Sequence, residues 1–132
     1  MILADSSAWV EYLRDTGSAV SERMRALVVP VGRLAVTEPV VMEILAGARN
    51  DAEWSTLRRL LYRCELVPLA GLEDFEAAAR VYRVCRGAGQ SVRRLPDCLI
   101  AAVAIRAGLD VLHRDRDFEA IARHTDLRVV AA

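Results

Sequence analysis

The chain is 132 residues long, which at about 100–200 residues per domain predicts one domain, residues 1–132, and leaves no room for two. An apolar fraction of 54 % and a charged fraction of 27 % suit a packed core under a polar surface and argue against disordered or coiled-coil classes. Eighteen bases balance eighteen acids and every base is Arg, so a wholly basic nucleic-acid coat is excluded, as is any mechanism that needs a lysine amine.

In chain order, Ile2-Leu3-Ala4 reads as a first strand ended by Asp5, and residues 7–15 as a helix with Ser6 or Ser7 as N-cap. A second helix covers about residues 18–29 and stops before Pro30. Arg33–Val36 is a short strand. Thr37 caps the next helix, which carries Pro39 in its first turn and runs to about Asn50. Residues 52–63 form a helix with Trp54, Leu57, Leu60 and Leu61 on one face. Glu65–Leu69 is a strand, and residues 72–87 are a long Ala-rich helix stopped near Gly87 and Gly89. Pro96 opens a helix to about Ala107, ended by Gly108. Val111-Leu112 is a strand, residues 117–124 a short helix, and Leu127–Val130 a last strand. This alternation predicts an α/β fold with a parallel sheet covered by helices on both faces, its site beyond the carboxyl ends of the strands.

Cys64, Cys85 and Cys98 are odd in number and lack C-x-x-C spacing, which predicts reduced thiols in a cytosolic protein. The longest apolar run, residues 98–105, is far short of the roughly 20 residues of a membrane span. The N-terminus, MILAD, has no basic region and does not read as a signal peptide.

The strand ends collect acids. Asp5 follows the first strand directly, and Asp115 and Asp117 follow Val111-Leu112 within a few residues. Asp97 opens an almost wholly apolar helix, and Glu43 lies about two turns from the Thr37 cap. Glu38 fits an ordinary acid that complements a helix N-terminus. Converging carboxylates raise one another's pKa unless a cation compensates, and Mg²⁺ or Mn²⁺ suits oxygen ligands of this kind. The chemistry this predicts is phosphodiester hydrolysis.

The segments ILADSSAWVEYLR (2–14), EPVVMEILAGAR (38–49), LPDCLIAAVAI (95–105) and LHRDRDFEAIA (112–122) resemble the PIN-domain ribonucleases. More narrowly, they resemble the toxins of type II VapBC-type toxin–antitoxin pairs. The resemblance spans essentially the whole chain. It implies a three-layer fold with a central parallel sheet of about five short strands. It also implies an acidic quartet of Asp5, Glu43, Asp97 and Asp115, with Asp117 as a nearby fifth carboxylate. Asp5 and Asp97 are the strongest metal-ligand assignments, and Ser7 supports the site by hydrogen bonding. Where many members carry Thr, this chain carries His113, which leaves open whether Asp115 or Asp117 faces the ion.

From Ala77 to Pro96 there are five Arg and no acid. Arg80 and Arg83 share a helix face, and Arg93 and Arg94 lead into Asp97, where guanidinium forks would guide an RNA backbone. The resemblance favours tRNA as substrate. It further implies a homodimer and a hetero-oligomer with a VapB-type antitoxin, which would cover apolar positions at Trp9, Leu13, Leu45, Trp54 and Leu57. An antitoxin Arg entering the acidic site would block it. His113 could act as a base or contact RNA but reads first as a plain strand-end histidine, and His124 carries no assigned role. The competing classes are a catalytically silent PIN-type binding module and a metal-dependent phospho-aspartate protein. The missing Lys opposes the second, as does Ser7 at the position where a dehalogenase-type site needs a second Asp.

Overall fold

The computed structural model describes residues 1–131. Four strands form one parallel sheet: β1 (Ile2–Ala4), β2 (Leu34–Val36), β3 (Glu65–Leu66) and β4 (Asp110–Leu112), in the order β3-β2-β1-β4. Leu3 pairs with Ala35 on one side and Val111 on the other. The two central strands are buried nearly throughout, as expected when both faces of a parallel sheet are covered.

Among the described residues seven helices surround the sheet, six between strands and the last after β4: α1 (Ser6–Leu13), α2 (Ala19–Val28), α3 (Glu38–Ala46), α4 (Asp51–Leu61), α5 (Leu72–Gly87), α6 (Leu95–Ala107) and α7 (Arg116–His124). They pack in two groups. In one, α1 lies against α2 and α3, and α3 against α4; in the other, α5, α6 and α7 pack on one another. Topology explains the division. The crossovers from β1 to β2 and from β2 to β3 run one way along the sheet, and that from β3 to β4 runs back. Right-handed crossovers then put α1–α4 and α5–α6 on opposite faces. The direction reverses between β1 and β4, and a crevice opens beyond their carboxyl ends. The Asp5 amide donates to Leu112 O at 2.9 Å, so the first residue beyond β1 is still bound to β4.

The structure corrects several boundaries. The N-cap of α1 is Asp5, not Ser6 or Ser7: its carboxylate accepts from the Ser7 amide, and both serines already lie inside the helix. Helix α3 ends at Ala46 rather than near Asn50, because Asn50 caps α4 by accepting from the Glu53 amide at 2.8 Å. Strand β3 has two residues, not five. The Val67 amide makes the last bond to β2, Pro68 has no donor, and the Leu69 amide turns to Glu38 Oε1 at 3.0 Å. Residues 127–130 touch β4 through one parallel bridge, Val111 to Val129, so the sheet has four strands and not about five.

The core joins Leu3, Trp9, Met24, Leu61, Ile100, Val103, Leu112, Phe118 and Ile121, all nearly inaccessible. Helix α6 is buried on almost every side over residues 97–104. It ends at Gly108, whose φ of 68° is a left-handed cap that favours glycine. Buried Asp74 accepts from Arg106 Nε and Nη2 at 3.0 and 2.9 Å, fastening the start of α5 to the end of α6. All three cysteines are free thiols, and burial pushes Cys98 up to about 12. Among the described residues no helix is long and apolar enough to cross a membrane.

Candidate metal and nucleic-acid site

Asp5, Ser7, Asp97, Asp115 and Asp117 owe their positions to helix starts at the β1–β4 crevice, and Glu43 reaches it from within α3. Asp5 is fixed by its cap role and is nearly buried; its Oδ2 accepts from the Ser7 amide at 2.9 Å and from the Ser7 hydroxyl. The Ser7 hydroxyl oxygen in turn accepts from the Arg114 amide at 2.9 Å. One hydroxyl thus joins the loop after β1 to the loop after β4. Burial raises the Asp5 carboxyl above its ordinary range; the Ser7 bonds oppose this, and the nearby Glu43 charge adds to it.

Asp97 sits in the first turn of α6 and is 1 % exposed. Its Oδ2 is buried without a hydrogen-bond partner. Burial, then the charges of Asp5 and Asp115, push its carboxyl up to about 7. Asp115 and Asp117 begin α7. Asp115 is the N-cap and accepts from the Asp117 amide at 2.9 Å, while Asp117 is itself buried. One carboxylate oxygen from each of Asp97, Asp115 and Asp117 falls within 4.8 Å of the other two. Glu43 approaches from α3, with Oε2 on Arg94 at 2.7 Å and Oε1 buried and unpartnered.

These acids are the ones the sequence singles out, and the structure gathers them unevenly. Asp97, Asp115 and Asp117 form the tight trio, Asp5 is held beside it by Ser7, and Glu43 stands on the α3 side with Arg94. The donor set is all carboxylate, and two of its oxygens are buried without partners, Asp97 Oδ2 and Glu43 Oε1. An unpaired buried carboxylate oxygen is costly, and a hard divalent cation removes that cost, so the residues present fit such an ion.

Arg93 and Arg94 face the acids rather than open solvent. Arg93 reaches Asp115 at 2.9 Å and Asp117 at 3.4 Å, and its backbone amide donates to Asp117 at 3.1 Å. Beside them, a cavity of about 320 Å³ is lined by Ser6, Ser7, Glu11, Glu43, Arg94 and Arg114. Sequence reasoning favours a plain strand-end histidine at position 113 over a base or an RNA contact, yet His113 Nδ1 accepts from the Asp115 amide at 3.0 Å and its Nε2 lies 3.2 Å from Glu119. The acceptor at Nδ1 implies a proton on Nε2. His113 therefore fixes the backbone of a site acid, and its place two residues before Asp115 was the available signal. Trp9, whose spacing with Tyr12 and Leu13 reads as core or an interface, is fully buried core, while Leu13 and Trp54 are exposed.

The PIN domain family model matches residues 2–124. The chain is 49 % identical over 132 residues to "Ribonuclease VapC11" of Mycobacterium tuberculosis, covering 99 % of this chain and 98 % of the relative. It is 34 % identical to "Ribonuclease VapC51" of the same organism over 88 % of each chain. Among solved structures, VapBC2 from Rickettsia felis bound to a promoter DNA fragment superposes with a TM-score of 0.75 at 16 % identity, covering 98 % of both chains. Matched by the family model and by a relative along nearly its whole length, the chain is a member of the PIN-domain family, among its VapC-type proteins.

Proposed function

We propose that this chain, acting as a single PIN-like domain over residues 1–132, is the toxin of a VapBC-type pair and a metal-dependent endoribonuclease of the cytoplasm. The observation that carries this reading is the carboxylate trio Asp97, Asp115 and Asp117, with Asp97 Oδ2 buried and unpartnered. Asp5, Asp97, Asp115 and Glu43 would hold Mg²⁺, with Mn²⁺ as a substitute, and Asp117 would complete the acidic set. Such an ion, when bound, stabilises charge on a phosphate and makes water a better nucleophile.

The chain's own residues supply the rest. Ser7 locks the Asp5 carboxylate and ties it to the Arg114 loop. His113 and the cap geometry fix Asp115. Glu43 Oε1, buried without a partner, is the oxygen this side chain would offer the ion, Oε2 being bonded to Arg94. Arg93, Arg94 and Arg114 border the cleft and suit the phosphates of an RNA backbone. The relatives' names support RNA as the substrate class, and tRNA is the RNA we propose.

The antitoxin would lie in the groove of about 560 Å³ between α1, α3 and α4, where Leu13, Ile44 and Leu57 meet Arg49 and Glu53. That groove ends at Glu43, so an arginine from the partner would meet the site's carboxylates there. A second apolar face, with exposed Met42, Phe75 and Leu95, fits another copy of the chain in a homodimer, and the toxin–antitoxin hetero-oligomer would use both.

The test is cleavage of tRNA by purified protein with Mg²⁺ or Mn²⁺, compared with Asp97→Asn. Cleavage that needs the ion and is lost in the variant is expected; a variant that cleaves as fast as the parent overturns the reading.

A further inference from the structure

Three bonds hold two arginines on the acids of the site. Arg94 Nη2 lies 2.7 Å from Glu43 Oε2, Arg93 Nη2 2.9 Å from Asp115 Oδ1, and Arg93 Nε 3.4 Å from Asp117 Oδ1. The partners differ in freedom. The arginine side chains are 54 % and 50 % exposed, whereas the Asp115, Asp117 and Glu43 side chains are 14 %, 6 % and 23 % exposed. The guanidinium heads are able to swing into solvent, and the carboxylates are not able to follow.

Neither arginine side chain is needed to hold its loop. The Arg93 backbone amide donates to Asp117 independently of its guanidinium. Arg94 is the N-cap of α6 and makes no side-chain cap bond. Asp97 Oδ2, between these pairs and 1 % exposed, is bonded to neither. Two guanidinium groups carry the charge of one divalent cation, and they occupy oxygens that such a cation would use. The same planar fork binds a phosphate as readily as a carboxylate.

We propose that Arg93 and Arg94 are resident counter-ions of the acidic site, which give up Asp115, Asp117 and Glu43 when a divalent cation binds and then take RNA phosphates. The inference rests on the metal-dependent reading above and adds to it a coupling: cation and RNA bind cooperatively because the first frees the cations that hold the second. Linkage makes the effect reciprocal, so RNA tightens cation binding by the same factor. It follows that removing an arginine acts in opposite directions on the two ligands.

The experiment measures Mn²⁺ binding to the whole chain without RNA, by the loss of the free-ion paramagnetic resonance signal. Binding of a phosphorothioate-linked RNA is followed by fluorescence anisotropy, with and without Mn²⁺. Arg93→Ala and Arg94→Ala are each expected to bind Mn²⁺ at least about fivefold tighter than the parent, the lower end of ordinary coupling. Both are expected to bind RNA more weakly in Mn²⁺ and to lose most of the gain that Mn²⁺ gives the parent. Arg93→Gln and Arg94→Gln keep polarity and length, and serve should either alanine variant fail to fold. Unchanged or weaker Mn²⁺ binding in the variants, with a parent that binds Mn²⁺ and cleaves RNA, overturns the exchange alone. A parent that binds no Mn²⁺ overturns the exchange and the metal-dependent reading together.

Discussion

Helices α6 and α7 both begin with acids at one crevice, and they treat those acids in opposite ways. Asp115 and Asp117 open α7 with amide donors, a histidine behind the backbone and an arginine in front. Asp97 opens α6 with an unpartnered oxygen, beside the charges of Asp5 and Asp115. The same residue type is stabilised in one place and penalised a few ångströms away. The penalised carboxylate is the one whose environment a bound cation would change most.

Breaking the comparison at Asp97 has the largest expected effect. Asp97→Asn should lower RNA cleavage by more than about 100-fold, beyond the usual cost of losing a supporting group at a metal site. It should also change the pH dependence of stability. In the cation-free fold the Asp97 carboxyl titrates at about 7, against roughly 4 in the unfolded chain. Between those values the folded state binds the extra proton, so this group's contribution to stability falls as pH rises from about 4 to about 7. Denaturant titrations of the metal-free protein should show that fall in the parent, and Asp97→Asn should lack it. Divalent-ion affinity should run the other way, rising with pH until Asp97 is ionised.

On the α7 side, His113→Ala removes the acceptor of the Asp115 amide. It should cost about 1–3 kcal/mol of stability, the usual price of an orphaned buried donor, and about 10- to 100-fold in ion affinity. His113→Thr, which restores an acceptor, should recover part of both, measured by unfolding and by calorimetric ion titration. Ser7→Ala should act more mildly, raising the Asp5 carboxyl further and weakening ion binding. Arg80 and Arg83 mark the small end. Both are exposed on α5 and make no ion pair among the described residues, so alanine at either should change stability by under about 0.5 kcal/mol.

The strand-end acids were legible in the sequence because a short apolar run ended by Asp has few other readings. So was α5, whose observed span is the predicted one, and the Gly108 stop of α6. Features set by non-local partners were not. Whether Arg93 and Arg94 point to solvent or to Asp115 and Glu43 depends on where α7 and α3 stand. The length of β3 follows from Pro68 together with a competing acceptor on Glu38, which sequence reading had treated as an ordinary helix-start acid. Helical spacing leaves Trp9 open between core and interface, and the packing of α1 on α2 and α3 decides for core.

The strands beneath the site are two or three residues long, and the Asp5 amide is itself bonded to Leu112 at the edge of that ladder. The acid therefore belongs to the sheet rather than to a loop resting above it. Its amide should exchange with solvent deuterium as slowly as that of Leu3, because each opens only when the whole cooperative unit opens. A cleft built this way has no soft hinge of its own on the β1 side. Its adaptability must come from the arginine-bearing segment opposite, whose heads are free to move over a fixed floor.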